Sequence, residues 1–150
     1  MSAFENPSDA AIRSLLGQRM TIAVVGCSPD PSRDSHRIAR LLQCRGHRVI
    51  PVNPASTEIL GERCYAALPE IPERIDMVDV FRRAESVPGI VGDAIGIGAR
   101  VLWLQLGVVD AAAAERARAA GLTVVMDRCP AIEYRRLFLE DAAPGAGADG

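Results

Sequence analysis

The 150 residues, 49% hydrophobic and 24% charged, suffice for one domain with a proper core and not for two. A net charge of -2 gives no basic field for nucleic acid, no apolar run is long enough to span a membrane, and the opening MSAFENPSD is no signal peptide, so a cytoplasmic protein is expected. All 17 basic residues are Arg, and the lack of Lys excludes lysine Schiff-base chemistry and the phosphate-contacting lysine of a P-loop.

Residues 8–17 predict a short leading helix with Ser8 or Asp9 as N-cap. Met20 to Gly26 is apolar but for Thr21 and reads as a first buried strand, followed by the small turn Gly26-Cys27-Ser28. Asp34 to Arg45 places Ile38, Ala39, Leu41 and Leu42 on one helical face, and Gly46 ends that helix. His47 to Val52 is a second strand closing on Asn53-Pro54, and Pro51 within it favours an edge or terminal position in the sheet.

Glu58 to Leu68 has little periodicity and is expected to connect. Asp76 to Phe81 reads as a third strand, Val87 to Gly98 as a glycine-weakened helix, and Arg100 to Leu106 as a fourth strand ending at Gly107. Ala111 to Ala120 is an alanine-rich helix with Asp110 as N-cap and Gly121 as C-cap. Leu122 to Met126 is a fifth strand, followed by Asp127-Arg128-Cys129-Pro130 and a last turn or two of helix from Ile132 to Leu139. The tail, residues 140–150, is expected to be disordered.

Five strands alternate with helices, and short strands without polar alternation imply burial on both faces. The expected fold is a doubly wound, Rossmann-like α/β sheet of about five parallel strands in three layers. In such sheets ligands sit beyond the carboxyl ends of the strands, where the strand order reverses. The strand ends therefore form one candidate site: Gly26-Cys27-Ser28, Asn53-Pro54, Phe81-Arg82-Arg83, Gln105-Leu106-Gly107 and Asp127-Arg128-Cys129. The first of these, between a buried strand and a helix start, is suited to a phosphate: glycine lets it approach, and the helix offers free N–H groups.

A nicotinamide dinucleotide would call for G-x-G-x-x-G and an acidic residue after the second strand. Here the turn keeps only its first glycine, and the second strand ends in neutral Asn53. A neutral residue tolerates a phosphorylated ribose, for which Arg33, Arg82 and Arg128 can supply counter-charge. Each of these arginines also reads as an ordinary surface charge. Phe81 suits either core or a stacking platform, His36 either a surface or a ligand role, and Asn53-Pro54 a plain turn; Trp103 suits the core, and Asp127 can cap the last helix.

Four cysteines, Cys27, Cys44, Cys64 and Cys129, lie far apart with no C-x-x-C pair, so neither a disulfide framework nor a zinc site is expected. Cys44 reads as a buried helical residue, whereas Cys27 and Cys129 follow strands at turns where a thiol can be exposed.

The segments IAVVGCSPDPSRDSHRIARLL, GHRVIPVNP, EILGERCYAALPEIPERIDMVDVFRR, VLWLQLGV and GLTVVMDRCPAIEYRRL, in this order, carry a family resemblance. The chain resembles the small stand-alone coenzyme A-binding domain proteins, relatives of the CoA-binding domain of succinyl-CoA synthetase α subunits, over residues 8–139. The resemblance implies a Rossmann-like domain binding CoA across the strand ends. Gly26, Cys27 and Ser28 would cradle the pyrophosphate, with Arg33, Ser35 and His36 flanking phosphate groups. Asn53 and Pro54 would line the adenosine side, Phe81 and Arg82 would contact the nucleotide, and Gln105, Gly107 and Arg128 would border the pantetheine end. Cys27 stands where the family commonly has Ala, which would put a thiol beside the ligand and allow a mixed disulfide with CoA.

No nucleophile with a neighbouring base is visible, although Arg128 can lower the pKa of Cys129. The phosphohistidine and extra domains of the synthetase relatives have no counterpart here. The leading expectation is a protein that binds coenzyme A or a short acyl-CoA without catalysing a reaction. An NAD(P)-binding oxidoreductase or redox regulator, and a thiol-dependent enzyme using Cys129 or Cys27, stand as alternatives. The ligand class is a small-molecule nucleotide, without nucleic acid or membrane, and homodimerisation is left open.

Overall fold

The computed structural model describes residues 4–138. Leu139 and the tail expected to be disordered lie outside the described residues. The elements run α1 (Asp9–Leu16), β1 (Thr21–Val25), α2 (Asp34–Cys44), β2 (Arg48–Val52), β3 (Glu58–Ile59), β4 (Glu62–Arg63), β5 (Met77–Val80), α3 (Val87–Gly96), β6 (Val101–Gln105), α4 (Ala111–Ala119), β7 (Thr123–Arg128) and α5 (Pro130–Leu137).

The five long strands form one parallel sheet in the order β2-β1-β5-β6-β7. Successive side chains on a strand point to opposite faces, so each strand feeds two cores. Ile22, Val24 and Trp103 pack with α1, α2 and α5 on one face. Ala23, Val25, Leu102 and Leu104 pack with α3 and α4 on the other. This is the three-layer, doubly wound, Rossmann-like arrangement expected from the alternation of elements.

Local chemistry explains the element ends. Ser8 caps α1 by accepting the Ala11 N–H at 3.1 Å, and Asp110 caps α4 by accepting that of Ala113 at 3.0 Å. The last helix begins two residues earlier than its apolar pattern suggests, because Pro130 at its first position has no N–H to leave unpaired. Cys44 is exposed rather than buried. It follows Leu42 by two residues, about 200° around the helix axis, on the face away from buried Ile38, Ala39 and Leu42.

Pro51 lies on the sheet edge, as its missing N–H requires. Its carbonyl faces outward and accepts the Tyr65 N–H at 3.1 Å, and the Tyr65 carbonyl in turn accepts the Asn53 N–H at 2.8 Å. The segment expected only to connect thus covers the edge. It folds into the β3–β4 hairpin, turning through Leu60 and Gly61, both with positive φ.

Candidate functional site

The strand order reverses between β1 and β5, so their carboxyl ends open a crevice. Gly26 follows β1 with φ +86°, and a Cβ there would lie 2.3 Å from the Phe81 carbonyl oxygen that follows β5. Only glycine permits both the conformation and the approach.

The loop beyond Gly26 is fixed by its own polar groups. Asn53 Nδ2 donates to the Cys27 carbonyl at 2.9 Å, and the Ser28 N–H donates to Ser35 Oγ at 2.9 Å. His36 Nδ1 donates to the Ser28 carbonyl at 2.9 Å, which sets its tautomer, since a carbonyl only accepts. Asp30 accepts both the N–H and the hydroxyl of Ser32, and these bonds hold its carboxyl below the ordinary range. The loop delivers the chain to α2, whose N-cap residue Arg33 makes no side-chain cap bond. The first-turn N–H groups of α2 therefore remain open to an anion.

These elements border a cleft of about 770 Å³. Of the residues singled out from the sequence, Gly26, Ser28, Arg33, Ser35, Phe81, Arg82 and Gln105 line it. Pro54 instead lines a second cavity of about 210 Å³, with Val25, Val52, Leu68 and Ile90, and Arg82 is common to both cavities. The cleft also takes in Arg83, Leu106 and Cys129 from the other strand ends, and Asp34, Arg37, Ile38, Val108 and Ala131, for which the sequence carried no separate signal.

Five of the singled-out residues line neither cavity. Cys27 turns its thiol into the core, fully buried, and burial pushes the thiol up to about 12, with Cys64 and Asp79 adding to the effect. It does not stand beside the cleft. His36 is buried under the loop. Asn53 spends both ends of its amide on the backbone, donating to Cys27 and accepting the Ala55 N–H at 2.8 Å, and so holds the loop. Gly107 gives its N–H to Asp127 Oδ1 at 2.7 Å, and Arg128 bonds the Asp127 carbonyl at 3.0 Å.

Asp127 is therefore a clamp between the ends of β6 and β7, not the cap of the last helix. It sits at a bulge in the β6–β7 register with φ +62°, a conformation that Asp tolerates better than most residues.

Charge at the cleft is unbalanced. Arg37 pairs with Asp34 on α2. Arg82 and Arg83 have neither a hydrogen bond nor an ion pair among the described residues, and Arg33 meets only the field of Asp30. Cationic side chains without carboxylate partners around an open helix N-terminus are suited to a multiply charged anion.

Sequence reasoning passed over Asp79. It lies within β5, fully buried, with Oδ1 accepting from Gln105 Nε2 at 2.5 Å and Oδ2 without a partner. Burial pushes its carboxyl up to about 7, against the opposing effect of the Gln105 bond. The signal available was a carboxylate in the apolar run Met77–Val80. Among the described residues no group of three or more His, Cys, Asp or Glu could hold a metal ion, and no helix is long and apolar enough to cross a membrane.

The sequence profile of the CoA binding domain matches residues 20–135. A Bacillus subtilis (strain 168) protein named "Uncharacterized protein YneT" is 42% identical over 125 residues, covering 83% of this chain and 93% of its own. The solved structure of a hypothetical protein from Pyrococcus horikoshii OT3 superposes with a TM-score of 0.85 at 36% identity, over 92% of this chain and 99% of that one. An ADP-forming acetate–CoA ligase (I) of Archaeoglobus fulgidus is 36% identical over 70 residues, 47% of this chain but 10% of the much longer ligase.

Proposed function

The chain belongs to the CoA binding domain family, and on that premise we propose that it binds coenzyme A or a short acyl-CoA across the strand ends without catalysing a reaction of its own. The observation that carries this reading is the junction of Gly26 with Phe81, where a glycine backbone, an open helix start and unpaired Arg82 and Arg83 converge. A pyrophosphate over Gly26 and Ser28 would meet the N–H groups of α2 and the arginines. Arg82 walls both cavities, so a ligand spanning them passes its guanidinium.

The smaller cavity, with Val25, Val52, Pro54, Leu68 and Ile90, offers apolar walls for an adenine ring. The larger runs past Gln105, Leu106, Val108 and Cys129, a mixture of polar and apolar groups suited to a pantetheine arm. Leu106 is 60% exposed at its edge, an apolar contact for a short acyl group. Support for a binding role without chemistry comes from the cleft's ionisable groups: its carboxylate Asp34 is tied to Arg37, and Cys129 has no histidine beside it in the lining.

Calorimetry with CoA, ADP and NADPH tests the reading. Saturable CoA binding in the micromolar range or below, at least tenfold tighter than NADPH, is expected. Folded protein that takes up NADPH but not CoA would overturn it in favour of an NAD(P)-linked protein. Acetyl-CoA incubated with the protein should be recovered intact; Cys129-dependent hydrolysis would replace the binding role with a thiol enzyme.

A further inference from the structure

Asp79 is an expensive residue for its position. It occupies a central strand, fully buried, where its neighbours Met77, Val78 and Val80 are all apolar. One of its carboxylate oxygens has no hydrogen-bond partner, and a buried polar atom left unpaired costs stability. Its remaining polar contact is with Gln105, two residues beyond the β6 residue Trp103 that pairs with it in register.

That contact has a directional consequence. Above about pH 7, where the Asp79 carboxyl is ionised, it only accepts, so the Gln105 amide turns its Nε2 towards Asp79 as the 2.5 Å contact shows. Gln105 lines the cleft although it is only 4% exposed, and its Oε1 has no hydrogen-bond partner among the described residues. The amide oxygen is thus the atom left for a ligand. Without Asp79 the amide could turn either end, and the cleft would offer donor and acceptor alike.

We infer that Asp79 is a positioning residue for ligand selection: by holding Gln105 Nε2 it presents Gln105 Oε1 as a fixed hydrogen-bond acceptor, which selects a ligand arm carrying an amide N–H or hydroxyl donor at that point of the cleft. The inference rests on the CoA reading, because the pantetheine arm of CoA carries two amide N–H groups and a hydroxyl, whereas ADP has no such arm. Discrimination between CoA and ADP therefore isolates it from phosphate recognition.

The experiment is calorimetry at about pH 8.5, where the Asp79 carboxyl is ionised, with CoA and with ADP on the wild type, Gln105→Leu, Asp79→Leu and Asp79→Asn, with thermal melts alongside. Gln105→Leu should weaken CoA by about tenfold and leave ADP within about twofold. Asp79→Leu should lower the CoA-to-ADP preference by severalfold, and Asp79→Asn, whose amide can accept from Nε2 or donate to Oε1, should lower it by less. An unchanged preference in Gln105→Leu, or an Asp79→Leu variant that weakens both ligands alike, overturns the inference.

Wild-type protein that binds no CoA overturns the ligand reading itself, a separate outcome. Should the Asp79 variants not fold, the Gln105 side-chain amide protons of the wild type decide the matter: slow solvent exchange is expected, and exchange as fast as an exposed glutamine refutes the fixed orientation.

Discussion

The carbonyl oxygen of Phe81 stands 2.3 Å from where a Cβ would lie on Gly26, so the ends of β1 and β5 meet backbone to backbone. The left-handed conformation of Gly26 costs any L side chain about 1 kcal/mol, and relieving the contact requires movement of a strand end. Gly26→Ala is expected to destabilise the fold by about 2 kcal/mol or more and to weaken CoA binding at the same time. Urea unfolding and calorimetry check both. A variant as stable as wild type would show that the crevice is looser than the structure describes.

Arg82 is exposed and makes no hydrogen bond or ion pair among the described residues, so removing it should separate binding from stability. Arg82→Ala should weaken CoA by about 1.5–3 kcal/mol, the range for hydrogen bonds to charged groups, and shift folding stability by less than about 0.5 kcal/mol. The loss should shrink as salt is raised. Titrations at two ionic strengths measure it.

His47 lies at the opposite end of the sheet and ties three elements together. Its Nδ1 accepts the Met20 N–H at 3.1 Å, so Nε2 carries the proton and donates to the Tyr134 hydroxyl at 2.7 Å, which donates in turn to the Leu16 carbonyl at 3.0 Å. Burial, with Arg19 and Arg45 nearby, lowers its pKa below the ordinary 6.5. Below that pH the unfolded chain takes up a proton that the native ring refuses, so stability falls as the pH drops through and below 6.5. Melts from pH 8 to pH 5, roughly the histidine range, should show wild type losing stability relative to His47→Gln as the pH drops. Tyr134→Phe should cost about 1–2 kcal/mol by unpairing the Leu16 carbonyl.

Asp79 should act with the opposite sign. Its carboxyl ionises at 3.8 in the unfolded chain and at about 7 in the fold. Between those values the native protein keeps a proton that the unfolded chain releases, so this residue's contribution falls as the pH rises towards 7 and is level above it. The melting temperature of Asp79→Asn relative to wild type should therefore increase as the pH rises from 4 to 7, roughly the window set by the two values. A difference independent of pH would show that the native carboxyl is not perturbed.

The thiols should divide by depth. Cys44 is exposed and Cys129 half-buried at the cleft, while Cys27 and Cys64 are buried and burial pushes both thiols up, Cys27 to about 12. Iodoacetamide should modify Cys44 and Cys129 in the native protein and spare the other two, and CoA should protect Cys129 but not Cys44. Peptide mass mapping reads the result. Rapid modification of Cys27 would restore the expectation of a thiol facing the ligand.

Much of this was legible in the chain itself. The apolar strands, the helical pattern of Ile38, Ala39 and Leu42, and the caps at Ser8 and Asp110 are local signals, because backbone geometry repeats within a few residues. They led to five parallel strands and to the turn at Gly26. Cys44 was misplaced by its helix's apolar composition, since its angular position alone puts it in solvent. The hairpin at Glu58–Arg63 gave no periodic signal because each of its strands has only two residues.

The sequence by itself determined the alternation of strand and helix, the restriction of Pro51 to an edge or terminal position and the collection of strand ends as one region. These depend on periodicity, on proline's missing N–H and on the connectivity of parallel strands. Only the tertiary structure decided which residues of that region line the cleft. It turned Cys27 inward, spent Asn53 and His36 on holding the loop, made Asp127 a clamp, and paired Asp79 with Gln105 across 26 residues of chain. Such choices depend on which polar groups meet across adjacent strands, and a buried polar group is settled by the partner it finds in space rather than by its neighbours in the chain.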